Sequence, residues 1–237
     1  MIQEKNKEPF VRACNDFLNG ELNAKVLINS NKADVEEVEL SYFFRPYSKM
    51  PILEKHALSL CKGKVLDIGA GVGSHSLYLQ ENNIDVTALE IKPGLVDIIS
   101  RRGVRNVICE DIFNYSGGKF DILLMLMNGI GLVSDFQGLE IFLKRAKKIL
   151  KKGGSIILDS SDLIYLYQEE DGSYLIDLNS DYYGIVEYNF EYKDVKSESF
   201  KWLYIDYSQL KFYAEQVGFR CDLLLEVDYN NYLARIY

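Results

Sequence analysis

The chain has 237 residues, with 27 Lys and Arg against 35 Asp and Glu, giving a formal charge of −8. That acidic balance argues against nucleic acid as the default partner, and 48% apolar with 26% charged residues is the mix of a globular domain, which excludes disorder and fibre. Its longest apolar stretches, such as Ile122 to Met127, fall far short of the roughly 20 residues that a membrane span needs.

Met1 to Glu8 carries charges where a secretion signal would need an apolar run, so the chain is expected in the cytoplasm. Residues 1–49 read as an N-terminal helix and β lid segment, and 50–237 as the main domain. Within the first part, residues 24–44 read as short strands with turns, placed as a cap. Tyr42-Phe43-Phe44-Arg45-Pro46-Tyr47 groups large and cationic side chains just before the first sheet-associated helix, and reads as part core, part lid. Pro51 suits a first helical turn, which tolerates a missing N–H. The stripe Ile52, Leu53, Ala57 and Leu60 follows, on which His56 reads as a core or boundary histidine.

From Cys61 to Ser160, short apolar runs alternate with segments of helical period. Val65 to Ile68 precedes a helix from about Ser74, and Val86 to Leu89 precedes one from Pro93. Val107 to Cys109, Ile122 to Met127, a helix from about Phe136 and Ile156 to Leu158 continue the pattern. Strands alternating with helices imply parallel pairing with right-handed crossovers, a doubly wound α/β sheet. Leu139, Phe142, Leu143, Ala146, Ile149 and Leu150 form one stripe, with Gly153-Gly154 as its expected left-handed stop. Lys144, Arg145, Lys147, Lys148, Lys151 and Lys152 fall on that helix's polar face and C-terminal end, where cations complement the macrodipole. Residues 184–206 read as an inserted antiparallel piece, with Val186, Tyr188, Phe190 and Tyr192 on one face and Glu187, Asn189 and Glu191 on the other. Leu210, Tyr213, Ala214 and Val217 make a last helix, with Ser208 as its expected N-cap and Gly218 at its end. Phe219 to Val227 and Tyr232 to Tyr237 close the chain as a hairpin around Tyr229-Asn230-Asn231. Cys14, Cys61, Cys109 and Cys221 show no C-x-x-C pair, and the last three stand beside apolar runs, so buried free thiols are expected and a metal site is not.

The stretch Val65-Leu66-Asp67-Ile68-Gly69-Ala70-Gly71-Val72-Gly73-Ser74-His75-Ser76 carries most of the chemistry. Glycines at 69, 71 and 73 permit a sharp turn and close approach of a ligand. Counting from Gly69 puts Ser74 where a dinucleotide fingerprint wants Gly or Ala, and the Asp67 carboxylate would repel a pyrophosphate and welcome a cation. Glu90 ends the second strand 21 residues after Gly69, where an acid can accept from both hydroxyls of a ribose. Asp111 ends the third, placed for a purine amino group. An adenosine with a positive tail, S-adenosyl-L-methionine, fits those three carboxylates.

These motifs resemble the class I S-adenosylmethionine-dependent methyltransferases over about Met50 to Asp162 and the last helix and hairpin. The resemblance implies a Rossmann-like sheet of seven mostly parallel strands ending in an antiparallel hairpin. It assigns the cofactor to Asp67, Gly69, Ala70, Gly71 and Gly73, to Glu90 with Ile91, to Asp111 with Ile112, and to Met127. Phe120 to Gly129 and Leu150 to Asp159 resemble the family's fourth and fifth strand motifs. Met127-Asn128-Gly129-Ile130-Gly131 is loosely similar to the strand-four turn of glycine N-methyltransferase-type enzymes, and lacks the Pro-Pro-Tyr/Phe of base methylases. A small-molecule acceptor is therefore expected, on a monomer or homodimer, with a protein or RNA methyltransferase and a silent cofactor-binding module as alternatives.

In-line methyl transfer needs alignment more than strong acid or base. Asn128, Asp159, Tyr47 and His75 are the candidate orienters or proton acceptors, although His75 also suits a packing role. Arg45 is expected either to pair with the methionine carboxylate through its two-pronged fork, or to make a surface ion pair.

Overall fold

The structure is a computed structural model that describes residues 8–177, 179–228 and 230–237. Met1 to Lys7, which informed the expected location, and Tyr229 of the expected hairpin turn lie outside the described residues. The main sheet has seven strands: β3 (Lys64–Ile68), β4 (Asp85–Glu90), β5 (Val107–Cys109), β6 (Phe120–Met125), β7 (Leu150–Ser161), β11 (Cys221–Val227) and β12 (Asn231–Ile236). Their spatial order is β11-β12-β7-β6-β3-β4-β5. Strands β3 to β7 pair in parallel, and β12 returns antiparallel to both β7 and β11.

Alternation along the central strands divides the core between two faces, as a period of two requires. Ile122 and Leu124 pack with Leu53, Ala57 and Leu58 of α2 (Ile52–Leu60) and Leu79 of α3 (Ser74–Glu81). Leu123 and Met125 pack with Leu139, Phe142 and Leu143 of α5 (Phe136–Ile149) and Leu210 and Ala214 of α6 (Tyr207–Gln216). The fourth crossover helix, α4 (Pro93–Arg101), opens on its proline, as its missing N–H allows. Pro51 stands one place earlier than expected, at the cap of α2.

A second, smaller antiparallel sheet caps the first. It joins β1 (Lys25–Ser30) and β2 (Glu36–Glu39) to the inserted β8 (Ile185–Tyr192), β9 (Val195–Lys196) and β10 (Phe200–Leu203). The order is β10-β8-β1-β2, so both regions taken as caps are one sheet. Register puts Val26, Ile28 and Ser30 on the same face as Tyr188, Phe190, Phe200 and Trp202. Phe190 and Ile28 there pack against Val11 and Cys14 of α1 (Pro9–Leu18).

Some local expectations need correction. Gly153-Gly154 do not stop α5. The helix ends at Ile149 and β7 begins at Leu150, so Gly153, with φ 79°, lies inside the strand beside its register shift against β6. The residue that caps α6 is Asp206, accepting from the Gln209 amide, while Ser208 donates its hydroxyl to Asp206. Ile52 is exposed and Leu58 takes its place in the stripe. Cys14, Cys61 and Cys221 are buried free thiols, whereas Cys109 is exposed because β5 is an edge strand. Among the described residues no helix is long and apolar enough to cross a membrane.

Candidate active site

Strand β3 lies between β4 and β6, where the chain reverses its direction of winding, so a crevice opens at the carboxyl ends of these strands. Gly69 (φ 69°) and Gly71 (φ 58°) turn the chain there. A Cβ at Gly71 would meet only the Gly69 carbonyl at 4.0 Å, and one at Gly69 only Leu132 at 3.4 Å, so both glycines border open space. At Gly73 (φ 82°) a Cβ would sit 3.1 Å from Ile99, so its missing side chain also makes room for α4.

Asp67, at the end of β3, is buried and accepts the Ser76 hydroxyl at 2.6 Å. Burial pushes its carboxyl up, against the opposing charge of His75 and the Ser76 hydrogen bonds. Glu90 ends β4, also buried, and accepts from the Gly71 and Lys92 amides at 3.0 Å each, so it ties the glycine turn to the second strand. Burial raises Glu90, and those amides act the other way. Ile91 beside it is 54% exposed, an apolar surface open at the rim of the crevice. Asp111 accepts from the Phe113 amide at 2.9 Å and is followed by buried Ile112. Asp67, Glu90 and Asp111 thus stand at the carboxyl ends of β3, β4 and β5, with Ala70 buried beside them.

Across the crevice, the turn after β6 holds two non-glycine residues in the left-handed region, Met127 (φ 63°) and Asn128 (φ 52°). Such strain persists only where its surroundings fix it. Here Asp159 accepts from both amides, Met127 at 3.2 Å and Asn128 at 2.9 Å, while Trp202 of the cap sheet donates to the Asn128 carbonyl at 3.0 Å. Ser161 donates to the Asn128 side-chain oxygen at 3.0 Å. Burial pushes the Asp159 carboxyl up to about 7, with the Asn128 amide opposing and Glu54 adding to the rise.

Glu54 is the buried hub that sequence reading missed. One oxygen takes the Arg45 guanidinium and the other lies 2.7 Å from His75 Nε2. Burial alone would raise Glu54, but His75 and Arg45 hold it below the ordinary carboxylate range. Its signal was a carboxylate among Leu53, Ala57 and Leu58 on the apolar face of α2. This corrects the expectation for Arg45: its fork goes to Glu54 and the Tyr42 carbonyl, its carbon lies 4.0 Å from the Tyr42 ring centroid, and it is neither a free carboxylate clamp nor a surface ion pair. The Tyr47 ring stacks on Tyr78 with centroids 4.0 Å apart. The segment 42–47 is nonetheless seated beside the glycine turn, where Ser74 donates to the Phe43 carbonyl at 2.7 Å.

Between the inner face of the cap sheet and the end of β7 lies a cavity of about 220 Å³, walled by Ser30, Ser161, Tyr165, Tyr188 and Tyr204, with Lys32 at its edge. Alternation puts Asp159 on the same strand face as Ser161, two residues deeper.

These features fit S-adenosyl-L-methionine on physical grounds: open backbone at Gly69 and Gly71, buried carboxylates where a cation and a ribose would lie, and an exposed isoleucine beside them. The family described as a methyltransferase domain matches residues 66–158. A SAM-dependent methyltransferase from Bacteroides fragilis, crystallised with S-adenosyl-L-homocysteine, is 36% identical, with a TM-score of 0.91 over 98% of this chain and 95% of that one. The sugar N-methyltransferase of a Streptoalloteichus species shares the fold at 14% identity, with a TM-score of 0.58 over 85% of this chain and 94% of its own. Ribosomal RNA small subunit methyltransferase C of Actinobacillus succinogenes is 27% identical over 128 residues, which are 48% of this chain and only 38% of that protein.

Proposed function

This chain belongs to the S-adenosyl-L-methionine-dependent methyltransferases, and from that premise we propose that it methylates a small-molecule acceptor held in the cavity beneath the cap sheet. The cofactor, when bound, supplies an electrophilic methyl group. We assign its methionyl end to Asp67, Gly69, Ala70, Gly71 and Met127, its ribose to Glu90, and its adenine to Asp111, Ile112 and Ile91. Asn128 and Asp159 are the groups that orient the acceptor. His75, Glu54 and Arg45 act at one remove: a buried chain of charge that fixes the entrance to α3 and Tyr42. Alignment carries the rate, because two reactants held in contact need no entropy loss at the reacting step.

The observation that carries the small-molecule reading is the cavity itself. Its volume of about 220 Å³ lies below the roughly 300–1,000 Å³ usual for drug-sized ligands, which suits a metabolite. The net charge of −8 opposes RNA, whose phosphates need basic contacts. In a cytoplasmic extract, label from a methyl-tritiated cofactor should enter material that passes a small-pore filter and resists protease and nuclease. Label confined to protein or RNA would contradict the reading, and no transfer to any fraction would favour a silent module.

A further inference from the structure

Resting on that small-molecule reading, we infer that the cavity takes an acceptor with a carboxylate end, anchored by Lys32, and an apolar body. Lys32 is the one charged side chain among the described residues that line the cavity. It lies in the turn between β1 and β2, and its ammonium donates to the Tyr167 hydroxyl at 2.5 Å. At 5.3 Å from the centroid of that ring, the ammonium sits beyond the hydroxyl and not over the ring face. Tyr167 therefore fixes the ammonium without neutralising it, and its own proton goes to the Tyr183 carbonyl at 3.4 Å. An ammonium carries three donors, so two remain. Among the described residues no carboxylate pairs with Lys32; Asp181, which Lys201 and then Lys32 hold below the ordinary carboxylate range, takes its ion pair from Lys201 at 2.8 Å.

The rest of the lining suits the same end group. The Tyr188 and Tyr204 hydroxyls lie 2.9 Å apart, so one proton joins them and the other is free to donate. Burial pushes both phenols up, with the exposed Glu36 carboxylate acting the same way from outside the lining, so both stay protonated near neutral pH. Leu163, Leu166 and Val186 give the wall an apolar part. Hydrogen bonds to an ionised group are roughly twice as strong as neutral ones, so an ammonium and a hydroxyl that both donate favour an oxyanion over an amide oxygen. A single positive charge matches a carboxylate, whereas a phosphate monoester is more than singly charged near neutral pH. Ser161, also in the lining, bonds to Asn128, while Lys32 belongs to the cap sheet's turn. The carboxylate thus serves as a handle, and the methyl group goes to another atom.

The test titrates the protein saturated with S-adenosylhomocysteine and follows the ring-proton resonances of each probe by NMR. Benzoate should bind with a Kd about tenfold below that of benzamide, its neutral isostere, and benzylammonium should bind more weakly than either. Phenyl phosphate should bind no more tightly than benzoate. Lys32→Met, which keeps the length of the side chain and removes its charge, should bring benzoate to within about twofold of benzamide, while Lys32→Arg should keep a preference of about fivefold. Tyr167→Phe, which frees the ammonium, should raise the benzoate Kd about threefold and leave that of benzamide unchanged. Calorimetry should show unchanged S-adenosylhomocysteine affinity in all three variants, which separates a lost anchor from a lost fold. Equal binding of benzamide, tighter binding of benzylammonium or phenyl phosphate, or a benzoate preference that survives Lys32→Met would overturn the inference. Filterable label found only in compounds without a carboxylate would sink it and leave the small-molecule reading standing. A benzoate preference carried by Lys32, with label only in polymer, would uphold the inference and sink that reading.

Discussion

At the scale of single residues, the site depends on buried carboxylates given different work by their partners. Glu90 binds two backbone amides, so Glu90→Ala removes the proposed ribose acceptor and also loosens the glycine turn. We expect calorimetry with S-adenosylhomocysteine to show a loss of about 1–3 kcal/mol, and unchanged affinity would place the ribose elsewhere. Asp159 is the opposite case, a carboxyl raised to about 7 from its ordinary 3.8. The native state then keeps a proton that the unfolded state releases, so this group's contribution to stability falls as pH rises from about 4 to 7. Asp159→Asn removes that titration, and the Tm of the variant should fall less than wild type between pH 5 and 7. Parallel Tm curves would show that Asp159 ionises normally. Asp67 and Glu90 were legible because each ends a strand beside a glycine turn or an apolar run. Glu54 was not, because a lone acid in an apolar stripe acquires meaning only from Arg45 and His75, which tertiary folding brings to it.

At the scale of elements, the cap sheet holds the strained turn after β6. Gly131 lies beneath Trp202, and a Cβ there would come 2.0 Å from the indole Nε1. Gly131→Ala must therefore displace β10 from Asn128, lowering stability by about 1–3 kcal/mol as overpacking does and shifting Trp202 emission to the red. An unshifted spectrum at unchanged Tm would mean that the indole moves freely and does not clamp the turn. The alternation of strands and helices from Cys61 to Ser160 was readable because each element's own period reports it. Pairing of Ile28 with Phe190 joins segments far apart in sequence, which no local pattern encodes, so the two caps could be seen but not their union into one sheet. The α5 boundary failed for a related reason. Gly153 supplies positive φ at a β-bulge as readily as at a helix end, and only the partner strand decides between them.

At the scale of the whole molecule, two sheets with different tasks meet at one edge. The seven-stranded sheet presents its switch point, with Gly69 and Gly71 on one side and the Met127–Asn128 turn on the other. The smaller sheet, with Tyr188, Phe200 and Trp202 on one face, covers the far side, and on the proposed reading cofactor and acceptor approach from different directions. A crystal structure with S-adenosylhomocysteine tests this arrangement most directly. The account predicts Glu90 against the ribose hydroxyls, adenine beside Ile112, and the sulfur between Gly69 and Asn128, facing the cavity that Ser161 and Tyr188 line. A sulfur turned away from that cavity, or walled off from it by Trp202, would contradict the account.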